Sequence, residues 1–409
     1  MTIDTIKLLK KLISIPSPFF HEEEISEFLF NQLQEMGFSA YRQEVKRTAK
    51  IDGQMKDLVH YNILGEKGDG DKSILLYAHM DTVPPVKAWS DMGLDPYSPV
   101  EKDGRLIGLG SDDMKAGIVA ILKAVEDIKP HGYKIKVAFG VDEECDSAGA
   151  YVLLKSDFVK DCVACIVPEV GTGRTPARLG KLLLGRHGRC RAGVRIKGKA
   201  AHASTPEHAV NPIKYALKLI EDVEKIDTGN DPDLPPGNVS TTYINSEIGG
   251  LSTPEECMVW FDFLYSIPQT SVTIYKQIEE ILSRENSKYS GKTKSGSFPS
   301  FKLIDPRKLS EEDRKKFHFR KTPFNEPYKI DESNHLVMSA ESAVREVLNM
   351  EPEICYGKSN ADENYFAMLM PVIVIPPVGG NEHQAGEYVE INSVDVAAEV
   401  IKKTITRYF

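Results

Sequence analysis

Two imidazoles and three carboxylates stand at comparable points of this chain. His79, Glu144, Glu169 and His383 each lie at or beyond the end of an apolar, strand-like run, and Asp113 stands at a helix start. Neutral imidazole is the commonest metal ligand, and with carboxylates it makes a mixed nitrogen and oxygen set. Such a set suits zinc, manganese or cobalt better than a thiolate structural site or an all-oxygen calcium cage. Five donors exceed what one tetrahedral ion takes. They suffice for two ions about 3.5–4 Å apart that share a carboxylate. Each residue taken alone has an ordinary reading. Asp112 and Asp113 suit a helix start, Asp112 as a plain N-cap. Asp142-Glu143-Glu144 suits a solvated acidic loop, and His202 a surface loop. The recurrence argues for chemistry.

The elements that must position these side chains follow from the patterning. Residues 74–78 are continuously apolar or small, as in a strand buried on both faces of a parallel sheet. Ligands bind beyond the carboxyl ends of such strands, which is where His79 and Asp81 arrive. Residues 134–141 form a second strand, ending at three adjacent carboxylates that repel one another and call for a cation or protons. Residues 162–167 lead to Pro168-Glu169, and residues 371–375 lead towards His383. Gly108-Leu109-Gly110 is no dinucleotide fingerprint, since Asp113 holds the third glycine position; it opens a helix over 115–128. Helices over 2–14, 22–36, 147–154, 335–348 and 394–408, with strands near 39–45 and 58–63, complete a mixed, mostly parallel α/β sheet flanked by helices. From about Gly188 the order is strand, helix, strand, strand, helix, a split β-α-β pattern. The expected division is 1–187 and 311–409 for the main domain, with 188–310 an inserted α+β ferredoxin-like lid.

The 409 residues carry a net charge of −9, which leaves no general footprint for nucleic acid. The basic segment 314–321 follows an acidic run and reads as a solvated surface. Six scattered cysteines are too few for a disulfide scaffold; Cys162 and Cys165 read as buried strand residues. The N-terminal residues form no signal peptide, and no run approaches the ~20 apolar residues of a membrane span. A cytoplasmic protein with reduced thiols is expected.

Taken in order, His79-Met80-Asp81-Thr82-Val83-Pro84, Gly108 to Gly117, Asp142-Glu143-Glu144, Pro168-Glu169 and His383-x-x-x-Glu387 resemble the motifs of the M20 zinc-dependent amidohydrolases and peptidases. That family includes acetylornithine deacetylase, succinyl-diaminopimelate desuccinylase and carboxypeptidase G. Gly198 to His202, Pro206 and Asn211-Pro212 resemble the start of its lid domain. The resemblance implies that Asp113 bridges two ions, with His79 and Glu169 completing one site and Glu144 and His383 the other. It implies that Asp81 orients His79, that Glu143 is general base and then general acid, and that His202 stabilises the oxyanion, from this subunit or a partner. The implied substrate is an N-acyl amino acid or a short peptide, the implied cofactor two Zn2+ (or Co2+ or Mn2+), and the implied assembly a homodimer through the lid. Two stretches depart from the family pattern. Ser359 to Asn364 lacks the arginine many deacylases carry there, and the last lid strand ends Asp262-Phe263-Leu264-Tyr265. The clamp for a substrate carboxylate is therefore unassigned, with Asn360 and Asn211 as candidate substrate contacts. Retention of all five donors and Glu143 weighs against a non-catalytic binding protein.

Overall fold

In the computed structural model, which describes residues 2–51, 54–170, 178–247, 250–289, 299–310 and 324–409, the run before His79 is a strand, Ser73–His79, buried along its whole length. It pairs in parallel with Lys134–Gly140 on one side and Cys162–Val167 on the other. Val372–Val374 adds in parallel beyond Cys162–Val167. These strands form the centre of a nine-stranded sheet, so three of the expected donors follow neighbouring strands. Burial on both faces explains the unbroken apolar runs, because no solvent face demands alternation. The sheet is extended by an antiparallel hairpin, Ser39–Ile51 with Gln54–Gly68, whose strands run longer than the apolar segments suggest. The polar ends of that hairpin carry no apolar signal. Lys181–Arg186, Glu353–Gly357 and Tyr328–Lys329 complete the sheet and were not expected from the patterning.

The helices match expectation within a few residues: Thr5–Ile13, Glu23–Glu35, Ala116–Val125, Ala148–Leu154, His335–Leu348 and Ile391–Tyr408. Ala116–Val125 is buried on every side and packs against Thr5–Ile13 and Ile391–Tyr408. A small sheet of Val100–Lys102, Arg105–Ile107, Tyr388–Glu390 and Gly379–Gly380 links the loop before Asp113 to the loop that carries His383.

The chain divides into two units. The first comprises Met1–Gly185, Lys329–Gly357 and Ala361–Phe409, and the second Arg186–Tyr328 and Lys358–Asn360. The second unit thus runs past the expected limit of 310. Ser300–Ile304 pairs with Gly188–Lys197, and Arg189 N donates to Asn325 O at 2.8 Å, so the returning chain stays bound to the lid strands. Its sheet order is Asn238–Ser246, Glu256–Tyr265, Gly188–Lys197, Ser300–Ile304, with helices Pro212–Val223 and Ser271–Tyr289. That is the ferredoxin-like arrangement. Alternate residues Cys190, Ala192, Val194 and Ile196 bury one face against Phe261, Phe263, Leu219 and Ile278. The basic segment 314–321 lies outside the described residues. No described helix is long and apolar enough to cross a membrane. All six cysteines are free.

Candidate metal centre

His79 closes its strand with the ring fixed at both nitrogens. Nδ1 is 3.0 Å from the backbone carbonyl of Asp81, which can only accept, so Nδ1 donates and Nε2 is the nitrogen turned to the carboxylates. It faces Asp113 Oδ1 at 3.0 Å and Glu169 Oε2 at 3.5 Å. The other oxygen of Asp113 lies 3.2 Å from His383 Nε2, which also meets Glu144 Oε2 at 2.9 Å. Two groups able to hold a metal ion result, His79–Asp113–Glu169 and Asp113–Glu144–His383, with ligand atoms within 4.8 Å of one another in each. They share Asp113, one oxygen to each group.

The electrostatics fit a cation. His383 is held far above the usual imidazole value, to about 11, by hydrogen bonds to Asp113 and Glu144. His79 is also raised: burial opposes its charge, but Glu169, Asp113 and Asp81 outweigh burial. Burial and the Asp113 charge push Glu144 up to about 7. Burial likewise pushes Asp113 up, yet its two imidazole partners hold it below the ordinary carboxylate value. Without a metal this cluster balances its charge with protons. Donor type, convergence and charge all suit two divalent cations in their place.

Local backbone delivers these side chains. Asp113 belongs to Ser111–Lys115, where Asp113 (φ −108°, ψ 97°) and Met114 break helical geometry and are joined by a cis peptide bond. Asp112 lies inside Ser111–Lys115, whose N-cap is Gly110, and Lys115 is the N-cap of Ala116–Val125, so Asp112 holds neither cap position. The preceding Gly110 adopts φ +77°, which a side chain rarely takes. A Cβ on Gly117 would meet Pro168 O at 2.4 Å, so glycine lets the helix start close on Pro168-Glu169.

Three residues support the donors from beside them, and their backbone and turn contacts were not read from the sequence. The Asp81 carboxylate is 3.6 Å from His79 Nδ1, while its two oxygens accept from Glu143 N (3.1 Å) and Glu144 N (3.0 Å). Asp81 thus faces the His79 ring with both its backbone carbonyl, at 3.0 Å from Nδ1, and its carboxylate, at 3.6 Å, while that carboxylate also holds the two amides. Glu387, the last residue of the His383 motif, accepts from Gly110 N (2.8 Å), Asp112 N (2.9 Å) and Asp113 N (3.0 Å). Arg47, from the outer hairpin, pairs with Asp142 and, at 3.2 Å, with Asp146. One buried guanidinium thus answers part of the charge on the acidic turn. No local sequence signal marks Arg47, which acts from far along the chain.

Glu143 precedes Glu144 directly, and the charges of His79, Glu144 and Glu169, from both groups, act on it. Burial, and next the charge of Asp362, push its carboxyl well above the ordinary value. Asp362 is itself raised to about 6 by burial and accepts a hydrogen bond from the Tyr77 hydroxyl. The remaining candidates belong to the second unit. His202 is exposed there, its Nδ1 2.7 Å from Ser204 Oγ. Asn211 caps Pro212–Val223, its Oδ1 accepting from Ile213 N at 3.0 Å. Asn360 follows Ser359, whose hydroxyl accepts from buried Arg186 at 2.9 Å.

Comparison with known proteins agrees with this geometry. The profile of peptidase family M20/M25/M40 matches residues 75–407. Succinyl-diaminopimelate desuccinylase of Nitrosospira multiformis is 25% identical, the alignment covering 99% of this chain and 98% of that protein. Among solved structures, a tripeptidase from Staphylococcus aureus superposes with TM-score 0.73 at 20% identity, over 99% of this chain and 97% of that one. An M20 family metallo-carboxypeptidase from Sulfolobus solfataricus gives TM-score 0.71 at 15% identity, over 100% and 99%.

Proposed function

The chain belongs to peptidase family M20/M25/M40 and is a hydrolase of amide bonds, and from that premise we propose that it deacylates an N-acyl amino acid, in the manner of a deacetylase or desuccinylase. The observation that carries the reading is the meeting of two donor groups on Asp113, beside Glu143. Zn2+ is the favoured ion, with Co2+ or Mn2+ next. His79, Asp113, Glu144, Glu169 and His383 would hold the pair of ions, which would supply carbonyl polarisation and a water of pKa lowered towards ~7. Glu143 takes a proton from the attacking water and returns it to the leaving amine. His202, from the lid of this copy or of a partner, donates to the oxyanion. Asn360 and Asn211 contact the amino-acid portion of the substrate. Full-length alignment to a desuccinylase supports an acylated amino acid over other amides.

An exopeptidase acting on short peptides is the second reading, favoured by the tripeptidase and carboxypeptidase that share this fold. Amine release from N-acyl amino acids and from unblocked di- and tripeptides separates the two, with zinc, cobalt or manganese added and Glu143→Ala as the blank. Cleavage of acylated amino acids alone supports the deacylase. Cleavage of peptides alone supports the exopeptidase, and near-normal turnover by the Glu143→Ala protein refutes the assigned base.

The lid supports a homodimer. Asn238–Ser246 is an edge strand with Tyr243 and Ile244 exposed, and Leu217 on the neighbouring helix is 58% exposed. An uncovered apolar edge of this kind invites pairing with a second copy. A sedimentation mass twice that of the chain would support it. Free thiols fit residence in a reducing cytoplasm.

A further inference from the structure

Two carboxylates of the centre are not metal donors in either group, and both spend their oxygens on backbone N–H groups. Asp81 follows His79 by two residues, and Glu387 follows His383 by four. Asp81 holds the N–H groups of Glu143 and Glu144. Glu387 holds those of Gly110, Asp112 and Asp113. Both acids are about 1% or less exposed, so water does not compete for these bonds. Each acid reaches a segment distant in sequence that carries a carboxylate donor.

We infer that the loop of each histidine braces a carboxylate donor distant in sequence: Asp81 is a positioning residue for Glu143 and for Glu144 of the other group, and Glu387 for the shared Asp113. The consequence is crossed. Asp81 stands next to His79, yet its carboxylate supports the group that contains His383. The backbone at both targets needs an external hold. Asp113 and Met114 leave helical geometry, and Asp142, just before Glu143, has φ 73°. Carboxylate–amide bonds are charge-assisted and so stronger than neutral ones, which suits fixing such turns. The functional side of the inference rests on the metal-centre reading; the hydrogen bonds do not.

Cobalt alone is the probe for the functional side. His383→Ala keeps only the His79 group, and His79→Ala only the His383 group. Asp81→Asn is placed in each background, and Co2+ is titrated into metal-stripped protein by visible absorption and calorimetry. Affinity should fall about 10–100-fold in the His79→Ala background and less than about threefold in the His383→Ala background. The reverse order, or equal losses, would overturn the crossed assignment in favour of action on His79 or of general loosening. Cobalt binding by neither background would defeat the metal-centre reading instead.

Amide exchange on the metal-free protein tests the braces without metal. Asp81→Asn should speed exchange of Glu143 and Glu144 about tenfold and leave 110–113 unchanged; Glu387→Gln should do the opposite. Unchanged exchange in both variants would overturn the proposal. If either variant fails to fold, the unmodified protein decides: exchange of these amides at the rate of an unbonded loop refutes the braces.

Discussion

The two donor groups that meet at Asp113 contain the same chemistry in unlike surroundings. Each has one imidazole, one glutamate and one oxygen of the shared aspartate. His79 ends a fully buried strand and is 1% exposed. His383 stands in a loop with left-handed backbone, φ 61°, and its side chain is 50% exposed. Glu169 follows a central strand directly, whereas Glu144 sits in a turn held by Asp81 and Arg47. One half of the centre is positioned by the sheet itself. The other is assembled from loops that need bracing, and it is the half whose Glu144 follows Glu143 in the chain. The inner half should therefore hold its ion, and the outer half should exchange it.

The harshest test removes what the halves share. Asp113→Ala should weaken cobalt or zinc binding at both groups by more than about 100-fold, beyond what loss of a supporting residue costs. Metal content after dialysis measures it, and one retained equivalent would mean that Asp113 does not bridge. Next comes Arg47→Met, which keeps bulk but strips the charge facing Asp142 and Asp146. Both partners are buried, so breaking the pair should cost about 3–5 kcal/mol in chemical unfolding. The same variant should loosen the outer ion more than the inner one. Equal loosening would erase the distinction drawn between the halves.

Limited chelation sharpens the comparison at lower energy. One equivalent should leave about tenfold more readily than the other, and His383→Ala should abolish that labile phase only. Release should also depend on pH. The protonated His383, held up to about 11 by Asp113 and Glu144, stabilises the metal-free fold fully below its ordinary value of 6.5, and that contribution is lost as pH rises through about 11. A cation must displace this proton. Outer-site affinity should therefore fall as pH falls, about tenfold per pH unit for each proton released. Calorimetry in two buffers of different ionisation enthalpy counts the protons, and a count of zero would remove the competition.

The same contrast explains what the sequence made legible. The Ser73–His79 and Cys162–Val167 strands were readable because burial on both faces leaves unbroken apolar runs, Lys134–Gly140 from the apolar residues 135, 137 and 139, and the donors stand at or just beyond their ends. The lid's split β-α-β order was readable from alternation in residues such as Cys190, Ala192 and Val194. What supports the donors was not. Asp81, Glu387 and Arg47 act on backbone amides or on a turn far away in sequence, and such contacts leave no period and no composition. The strand Ser300–Ile304 was not read from the sequence because it is short and partly polar, an edge strand defined by its partner rather than by itself. Asp112 shows the same limit: a carboxylate beside a helix start suits a cap, but the cap positions fall at Gly110 and Lys115, and Glu387 takes the amides of Gly110, Asp112 and Asp113.

The smallest expected effect lies in the unit that contributes none of the five donors. Asn211 is a candidate substrate contact, yet its side-chain oxygen already serves the first turn of Pro212–Val223. Loss of an asparagine N-cap costs about 1 kcal/mol, so Asn211→Ala should lower stability by that much while both metal equivalents stay bound. Its side-chain amide nitrogen is a donor that the cap does not use. If KM also rises severalfold with kcat unchanged, Asn211 serves both the helix and the substrate. If KM stays put, the residue is a cap alone, and recognition of the substrate falls to Asn360 and its neighbours.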